Sequence, residues 1–252
     1  MATGTATAMD TATATGTMTA IDTATMTGTV TATGTPTATP TVDSGAPHAC
    51  PTILDWTCAD IGSPAQQGSA SLANGVWTVI GGGKDIWRNT DQFHYVWQAF
   101  GWYGSISARI LTQQRTNGWA EAGVMIRQDA TPSSPYYYVA LTPDHGIVVH
   151  YRSAAGVDAR KAGPHVAPGA HVFLRAVRLG NVYGAFTSTD GVTWALVPHS
   201  TVWIDMQSSV LAGLAVTSHD TRAASTATFA AVTLLPRTPD AAIASTPTPP
   251  AP

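Results

Sequence analysis

The sequence is poor in charge and in the residue types that most enzymes use. Charged residues make up 11% of the 252 residues, the formal net charge is -3, and Glu121 is the only glutamate. The 12 basic residues form no cluster, so we expect no nucleic-acid partner. No apolar run reaches the roughly 18 residues that span a membrane, so we expect no membrane insertion. A mechanism that needs two glutamates is excluded.

Large side chains are also missing from the ends of the chain. Residues 1–42 contain no Lys, Arg, Glu or aromatic residue and alternate Thr with Ala and Gly, and the last residues are rich in Pro and Thr. Such segments cannot bury enough apolar surface to offset their ordering entropy. We predict a low-complexity linker or stalk over residues 1–46 and a disordered tail over residues 237–252.

A Thr-rich stalk is typical of exported proteins, so we expect an extracellular or cell-surface location. The first residues nevertheless lack the positively charged and apolar segments of a secretory signal. Three explanations stay open: a start site placed too far downstream, a chain cut from a longer exported protein, or export by another route.

The stretch between these ends has a different composition. Residues 47–236 contain all eight Trp, all seven Tyr and all five Phe. Short runs rich in β-branched and aromatic residues recur there, bounded by Gly, Pro, Asn or Asp, and no long segment has helical periodicity. This spacing predicts one all-β domain, an antiparallel sandwich or barrel. The runs cover residues 76–80, 92–100, 105–113, 122–127, 136–142, 147–152, 172–177, 182–187, 193–197, 210–216 and 227–234.

Alternation within these runs assigns side chains to the two faces of each strand. Phe93 and Tyr95 share a face opposite Val96, and Val124 lies opposite Met125. Both faces of such strands are apolar. We therefore predict that a second sheet or a covering loop lies over these strands.

The two cysteines, Cys50 and Cys58, both lie at the start of the predicted domain. A disulfide between them would close a small loop and stabilise the domain by about 2.5 kcal/mol. We predict this disulfide because we expect an oxidising compartment, and two unrelated thiols are the alternative.

A set of motifs occurs in order over most of the domain and carries a resemblance to a known family. The motifs are Asp60-Ile-Gly-Ser-Pro64, Gly68-Ser-Ala-Ser71, Asp85-Ile-Trp87, Thr90-Asp-Gln-Phe-His-Tyr95, Trp119-Ala-Glu-Ala-Gly-Val-Met-Ile-Arg127, Ser188-Thr-Asp-Gly-Val-Thr-Trp194, Gly213-Leu-Ala-Val-Thr-Ser-His219 and Ser225-Thr-Ala-Thr-Phe229. The set resembles secreted bacterial modules of the concanavalin A-like lectin/glucanase superfamily, of the DUF1349 kind. The resemblance implies a jelly-roll β-sandwich of the kind that Thr/Pro-rich linkers attach to secreted enzymes or surface proteins.

Catalytic motifs are absent from the sequence. Sandwich glucanases of this superfamily carry Glu-x-Asp-x-x-Glu on one strand, and Glu121 has no such neighbours. No Gly-x-Ser-x-Gly or His-Glu-x-x-His motif occurs, and the eight His are dispersed. We predict that the protein is not an enzyme and needs no cofactor. A structural calcium stays open, with candidate ligands Asp60, Asp85, Asp91 and Asp220.

The aromatic residues are the best sequence argument for binding. Sugars present apolar C–H faces that stack on Trp and Tyr rings, and several Trp lie in or beside Gly/Asn/Asp-rich segments where exposure is plausible. Packing in the core is the alternative for each of them. The predicted ligand-binding residues are Trp87, Asp91, Trp102, Trp119, Arg127, Tyr137 and His219.

These observations predict a monomeric, non-catalytic extracellular module that binds an oligosaccharide or a cell-surface glycan. Two alternatives stay open: a structural or adhesive surface domain without a small-molecule ligand, and a divergent glycoside hydrolase. A groove rimmed by Trp87, Trp119 and Arg127 would favour binding. Two carboxylates that face each other in a cleft would favour the hydrolase.

Overall fold

The computed structural model describes residues 55–167 and 172–236, and these residues form strands and loops. The predicted linker over residues 1–46, the predicted tail over residues 237–252 and Cys50 lie outside this range. The Cys50–Cys58 disulfide therefore stays a prediction; Cys58 itself lies in the first strand, partly buried against the core. No helix in the described part of the chain is long and apolar enough to cross a bilayer.

The described residues form 17 strands, which are numbered here in chain order. They are β1 (Thr57–Ile61), β2 (Ser69–Ala73), β3 (Val76–Gly83), β4 (Ile86–Trp87), β5 (Thr90–Asp91), β6 (Phe93–Phe100), β7 (Tyr103–Gln113), β8 (Glu121–Arg127), β9 (Tyr136–Thr142), β10 (Gly146–Arg152), β11 (Arg160–Lys161), β12 (Val172–Leu179), β13 (Val182–Ser188), β14 (Ala195–Leu196), β15 (Val202–Trp203), β16 (Val210–Thr217) and β17 (Asp220–Pro236).

The strands pair antiparallel in two large sheets and one small ribbon. The seven-stranded sheet has the order β1-β6-β16-β8-β9-β10-β11. The eight-stranded sheet has the order β14-β13-β12-β7-β17-β3-β2, with β15 paired to β13. Strands β4 and β5 form the ribbon, called here the β4–β5 ribbon. Each of the predicted runs overlaps a strand, which confirms the all-β antiparallel class.

The main core lies between the two large sheets. Alternate residues of the seven-stranded sheet, such as Val96 and Val124, pack there against side chains of the eight-stranded sheet, such as Val79, Leu174 and Phe229, and all five are at most 1% exposed. Apolar burial is the dominant favourable term in folding, so this layer holds the two sheets together.

A second apolar layer covers the outer face of the seven-stranded sheet, the face directed away from the eight-stranded sheet. Phe93, Tyr95 and Met125 lie on this face and are fully buried. The covering element is the β4–β5 ribbon, whose Ile86 packs into the same cluster. The predicted two-sided burial of these strands is therefore confirmed, because one face meets a sheet and the other meets a ribbon with its loops.

A buried ion network fastens the ribbon to this outer face. Asp91 of β5 accepts hydrogen bonds from Nη1 of Arg127 (2.7 Å) and from Nη1 and Nη2 of Arg152 (2.7 and 2.6 Å). Both guanidinium groups are fully buried, and that of Arg152 lies 4.9 Å from the Tyr136 ring centroid. Arg152 also donates to the backbone carbonyl of Arg88 in the ribbon turn. The network thus fixes where the ribbon lies on the sheet.

Candidate functional site

A cavity of about 280 Å³ opens on the outer face of the seven-stranded sheet, beside the β4–β5 ribbon. It combines two tryptophan rings with two carboxyl groups, two imidazoles and one ammonium group. Its lining residues are Asp85, Trp87, Trp119, Glu121, His150, Lys161 and His219.

Side chains alternate between the two faces of a strand, and this alternation places the residues at the bottom of the cavity on the outer face of the sheet. Glu121 begins β8 and shares the outer face with Met125, because Ala122 and Val124 point into the main core. His150 of β10 lies on the same face as Val148. The sheet therefore presents one carboxyl group and one imidazole from two different strands at the bottom of the cavity.

Glu121 and His150 form a buried polar pair with unused hydrogen-bonding capacity. Their exposed fractions are 2% and 4%, and His150 Nδ1 lies 3.2 Å from Glu121 Oε1. Glu121 Oε2 and His150 Nε2 have no hydrogen-bond partner among the described residues. Burial raises the pKa of Glu121, against the opposing effect of His150. A buried polar atom without a partner costs free energy, so a ligand that supplies one is bound more favourably.

Asp85 and His219 form a second pair at the edge of the cavity. His219 Nδ1 lies 3.6 Å from Asp85 Oδ1, and the same carboxylate oxygen accepts a hydrogen bond from the backbone N–H of Ile86. The Asp85 carboxylate raises the pKa of His219, and burial opposes this rise. His219 has a φ of 50°, a left-handed conformation that is uncommon outside glycine and occurs more often at functional sites.

The two tryptophans form the apolar walls. The Trp87 ring contacts the His150 ring at a centroid distance of 4.7 Å. The Trp119 ring is stacked on His145 at 3.5 Å and meets His165 edge-on at 5.7 Å. Both tryptophans are partly exposed, so each keeps apolar surface available to a ligand.

The structure brings together three of the seven predicted ligand-binding residues, namely Trp87, Trp119 and His219. Asp91 and Arg127 are instead buried under the ribbon, where they hydrogen-bond to each other. Tyr137 lies in the main core and donates from its hydroxyl to the carbonyl of Ser200. Trp102 is 40% exposed and lies against Arg178, outside the lining of this cavity.

Four lining residues were not among the predicted ligand-binding residues: Asp85, which the sequence offered only as a candidate calcium ligand, and Glu121, His150 and Lys161. The glucanase motif places its carboxylates on one strand, whereas here Asp85 reaches the cavity from the segment before β4 and Glu121 from β8. One signal was available for Glu121, since it alternates with Met125 on an apolar face where a carboxyl group is unusual.

The aspartates that the sequence offered as candidate calcium ligands each have a different partner in the structure. Asp60 contacts His94 at 2.8 Å, Asp91 binds two arginines, and Asp220 accepts from the backbone N–H of Arg222. Within residues 55–167 and 172–236 no group of three or more His, Cys, Asp or Glu side chains is arranged to hold a metal ion.

The raised pKa of Glu121 predicts how stability depends on pH. The folded state holds this proton more tightly than the unfolded chain, whose glutamate has its ordinary pKa of 4.5. The stabilising contribution is therefore complete below that value and is lost as the pH rises through the folded pKa. The free energy of unfolding of Glu121→Gln, relative to that of the wild type, should increase with pH. Urea unfolding of both proteins from about pH 4 to pH 8 measures this, and a difference independent of pH would contradict it.

Comparisons with known proteins support the architecture. No family model and no curated protein matches the chain. A functionally unknown protein from Saccharomyces cerevisiae is similar over 73% of this chain and 97% of its own, at 19% identity and a TM-score of 0.57. The carbohydrate binding module CBM66 from Bacillus subtilis is similar over 73% and 97%, at 14% identity and a TM-score of 0.47. Lectin II from Ulex europaeus is similar over 70% and 90%, at 9% identity and a TM-score of 0.44. At 19% identity the likeness to the yeast protein is one of fold alone, and the two packed antiparallel sheets agree with the β-sandwich that the sequence predicts.

Proposed function

We propose that this protein is an extracellular or cell-surface module that binds a saccharide in the cavity beside the β4–β5 ribbon, and that it is related to the DUF1349 modules its motifs resemble. One sugar ring would lie against Trp87 or Trp119, and its hydroxyl groups would reach Glu121 and His150. A hydroxyl group both donates and accepts, so it suits a carboxyl group next to an imidazole.

The observation that carries this proposal is the pair of unpartnered atoms, Glu121 Oε2 and His150 Nε2, buried beside two tryptophans. A purely structural domain gains nothing from such atoms, because each costs about 1–3 kcal/mol when left unsatisfied. A binding site recovers that cost when the ligand occupies it. The combination of apolar ring faces with fixed polar partners is what a saccharide requires, since its rings have apolar faces and its edges are polar.

A glycan microarray with the fluorescently labelled full chain tests the proposal. We expect binding above background to at least one glycan class, and competition by the same glycan free in solution. Binding of the wild type to no glycan would refute saccharide recognition and would favour the structural or adhesive alternative.

The two carboxyl groups at one cavity favour hydrolysis of the bound saccharide as a second candidate function. Glycoside hydrolysis uses a protonated acid and an ionised carboxylate on either side of the bond. Glu121, whose pKa is raised by burial, would protonate the leaving oxygen, while Asp85 would take a proton from the water that attacks the anomeric carbon. Release of new reducing ends from a glycan retained on the array, abolished in Glu121→Gln, is the expected result. Binding without release would leave the module non-catalytic, as the sequence predicts.

A further inference from the structure

The two carboxyl groups at the cavity each lie beside an imidazole, whereas the one ammonium group does not lie beside a carboxylate of any described residue. Asp85 lies beside His219, and Glu121 lies beside His150 in surroundings that disfavour its ionised form. Each carboxyl group at the cavity thus has a neighbouring imidazole. Lys161, the ammonium group of the lining, forms no ion pair with a carboxylate in the described parts of the chain.

Lys161 is nevertheless held in a defined place. It lies in the edge strand β11, and its Nζ is 3.1 Å from His165 Nε2. The same Nζ lies 5.8 Å from the ring centroid of Trp119. Burial and the nearby Lys161 lower the pKa of His165, so near neutral pH its ring is uncharged and Nε2 accepts a hydrogen bond from the ammonium group. The positive charge is therefore held beside one of the two tryptophan walls.

We propose that the saccharide bound in this cavity is acidic, with its carboxylate paired to Lys161 and its ring lying against Trp119. This inference rests on the proposed function, because it names the ligand class of the same site. A uronic acid has both parts at the right scale, since its carboxylate is attached directly to the ring that stacks. An ammonium group with no carboxylate partner attracts such an anion, and the buried polar pair at the cavity floor remains free for the ring hydroxyls.

The test compares sugars that differ only at the carboxylate. Oligogalacturonate and oligomannuronate are titrated into the full chain by calorimetry, each beside the same oligosaccharide with its carboxyl groups reduced to alcohols. We expect at least one acidic form to bind about fivefold more tightly than its reduced counterpart, a ratio typical of a partly exposed charge pair. Its affinity should fall as salt is added, because exposed charges are screened.

The chain supplies a matched control, since Lys84 and Lys161 are its only lysines. Lys84 is exposed and lines two neighbouring depressions but not this cavity. Lys161→Met should remove the preference for the acidic form, Lys161→Arg should keep it, and Lys84→Met, with the same loss of charge, should also keep it. An equal loss in Lys84→Met and Lys161→Met would overturn the inference.

The outcomes also separate this inference from the function on which it rests. Glycan binding on the array with no preference for either acidic form would refute the acidic ligand and leave saccharide recognition intact. Binding of no glycan of any kind would refute both.

Discussion

Replacing Asp91 with alanine is expected to lower the free energy of unfolding by about 3–5 kcal/mol, the usual loss when one partner of a buried ion pair is removed. The Asp91 carboxylate is 1% exposed and accepts three charge-assisted hydrogen bonds from Arg127 and Arg152. Without it, two fully buried guanidinium groups would face each other with no compensating anion. Urea unfolding of the full chain at neutral pH measures the loss.

A surface ion pair in the same protein is the control. Asp144 accepts hydrogen bonds from Nε and Nη2 of Arg115 at 2.9 and 2.6 Å, but the two side chains are 39% and 65% exposed. Asp144→Ala should cost far less than Asp91→Ala, because solvent screens the exposed pair. Equal losses in Asp91→Ala and Asp144→Ala would show that burial does not set the strength of the Asp91 network.

The network also connects Asp91 to the cavity, although Asp91 does not line it. Asp91 belongs to β5, whose partner β4 ends in the cavity residue Trp87. Arg152 donates to the backbone carbonyl of Arg88, next to Trp87, so the two arginines hold the ribbon where its tryptophan faces His150. We therefore expect Asp91 and Arg127 to act at the proposed site by holding the ribbon in place and not by contacting the ligand.

The long strands could be predicted from the sequence because their signal is local. Strands of seven residues such as β8 and β9 are visible as runs of β-branched, aromatic and other apolar residues, and their two-sided apolar pattern indicated that both faces are covered. The β4–β5 ribbon could not be found in this way, because each of its strands has two residues. Its fastening depends on Asp91 meeting arginines 36 and 61 residues away in sequence, which no local pattern encodes.

The residues of the site, like the strands, could be predicted only where their signal is local in sequence. Trp87, Trp119 and His219 stand near strand ends, where exposure is expected from sequence. Glu121 and His150 share the outer face because β8, β9 and β10 pair in one particular register, in which His150 lies opposite Tyr138 and Tyr138 lies opposite Met125, on the same face as Glu121. A one-residue slip of either β8 or β10 would turn that strand's polar side chain into the main core, so the meeting of the two side chains is a property of the folded sheet.

Trp119→Ala should weaken saccharide binding by roughly 30-fold, because it removes one of the two tryptophan rings that line the cavity. This loss corresponds to about 2 kcal/mol for a central aromatic contact. Trp119 lines the cavity, and the stacked His145 fixes its ring before any ligand arrives. The fold should survive, because Trp119 packs at the margin of the outer apolar layer and outside the main core. Titration with a glycan selected on the array measures the affinity, and thermal unfolding checks the fold.

Trp102→Ala is the control that shows whether the loss of affinity is specific to the cavity. Trp102 is as large and is 40% exposed, but it lies against Arg178, and its loss should leave the affinity within about twofold of the wild type. If Trp102→Ala weakened binding more than Trp119→Ala, the saccharide would bind elsewhere, on the surface around Trp102. If neither substitution changed the affinity, ring stacking would not contribute to recognition. The Glu121–His150 pair would then have to account for binding by hydrogen bonds alone.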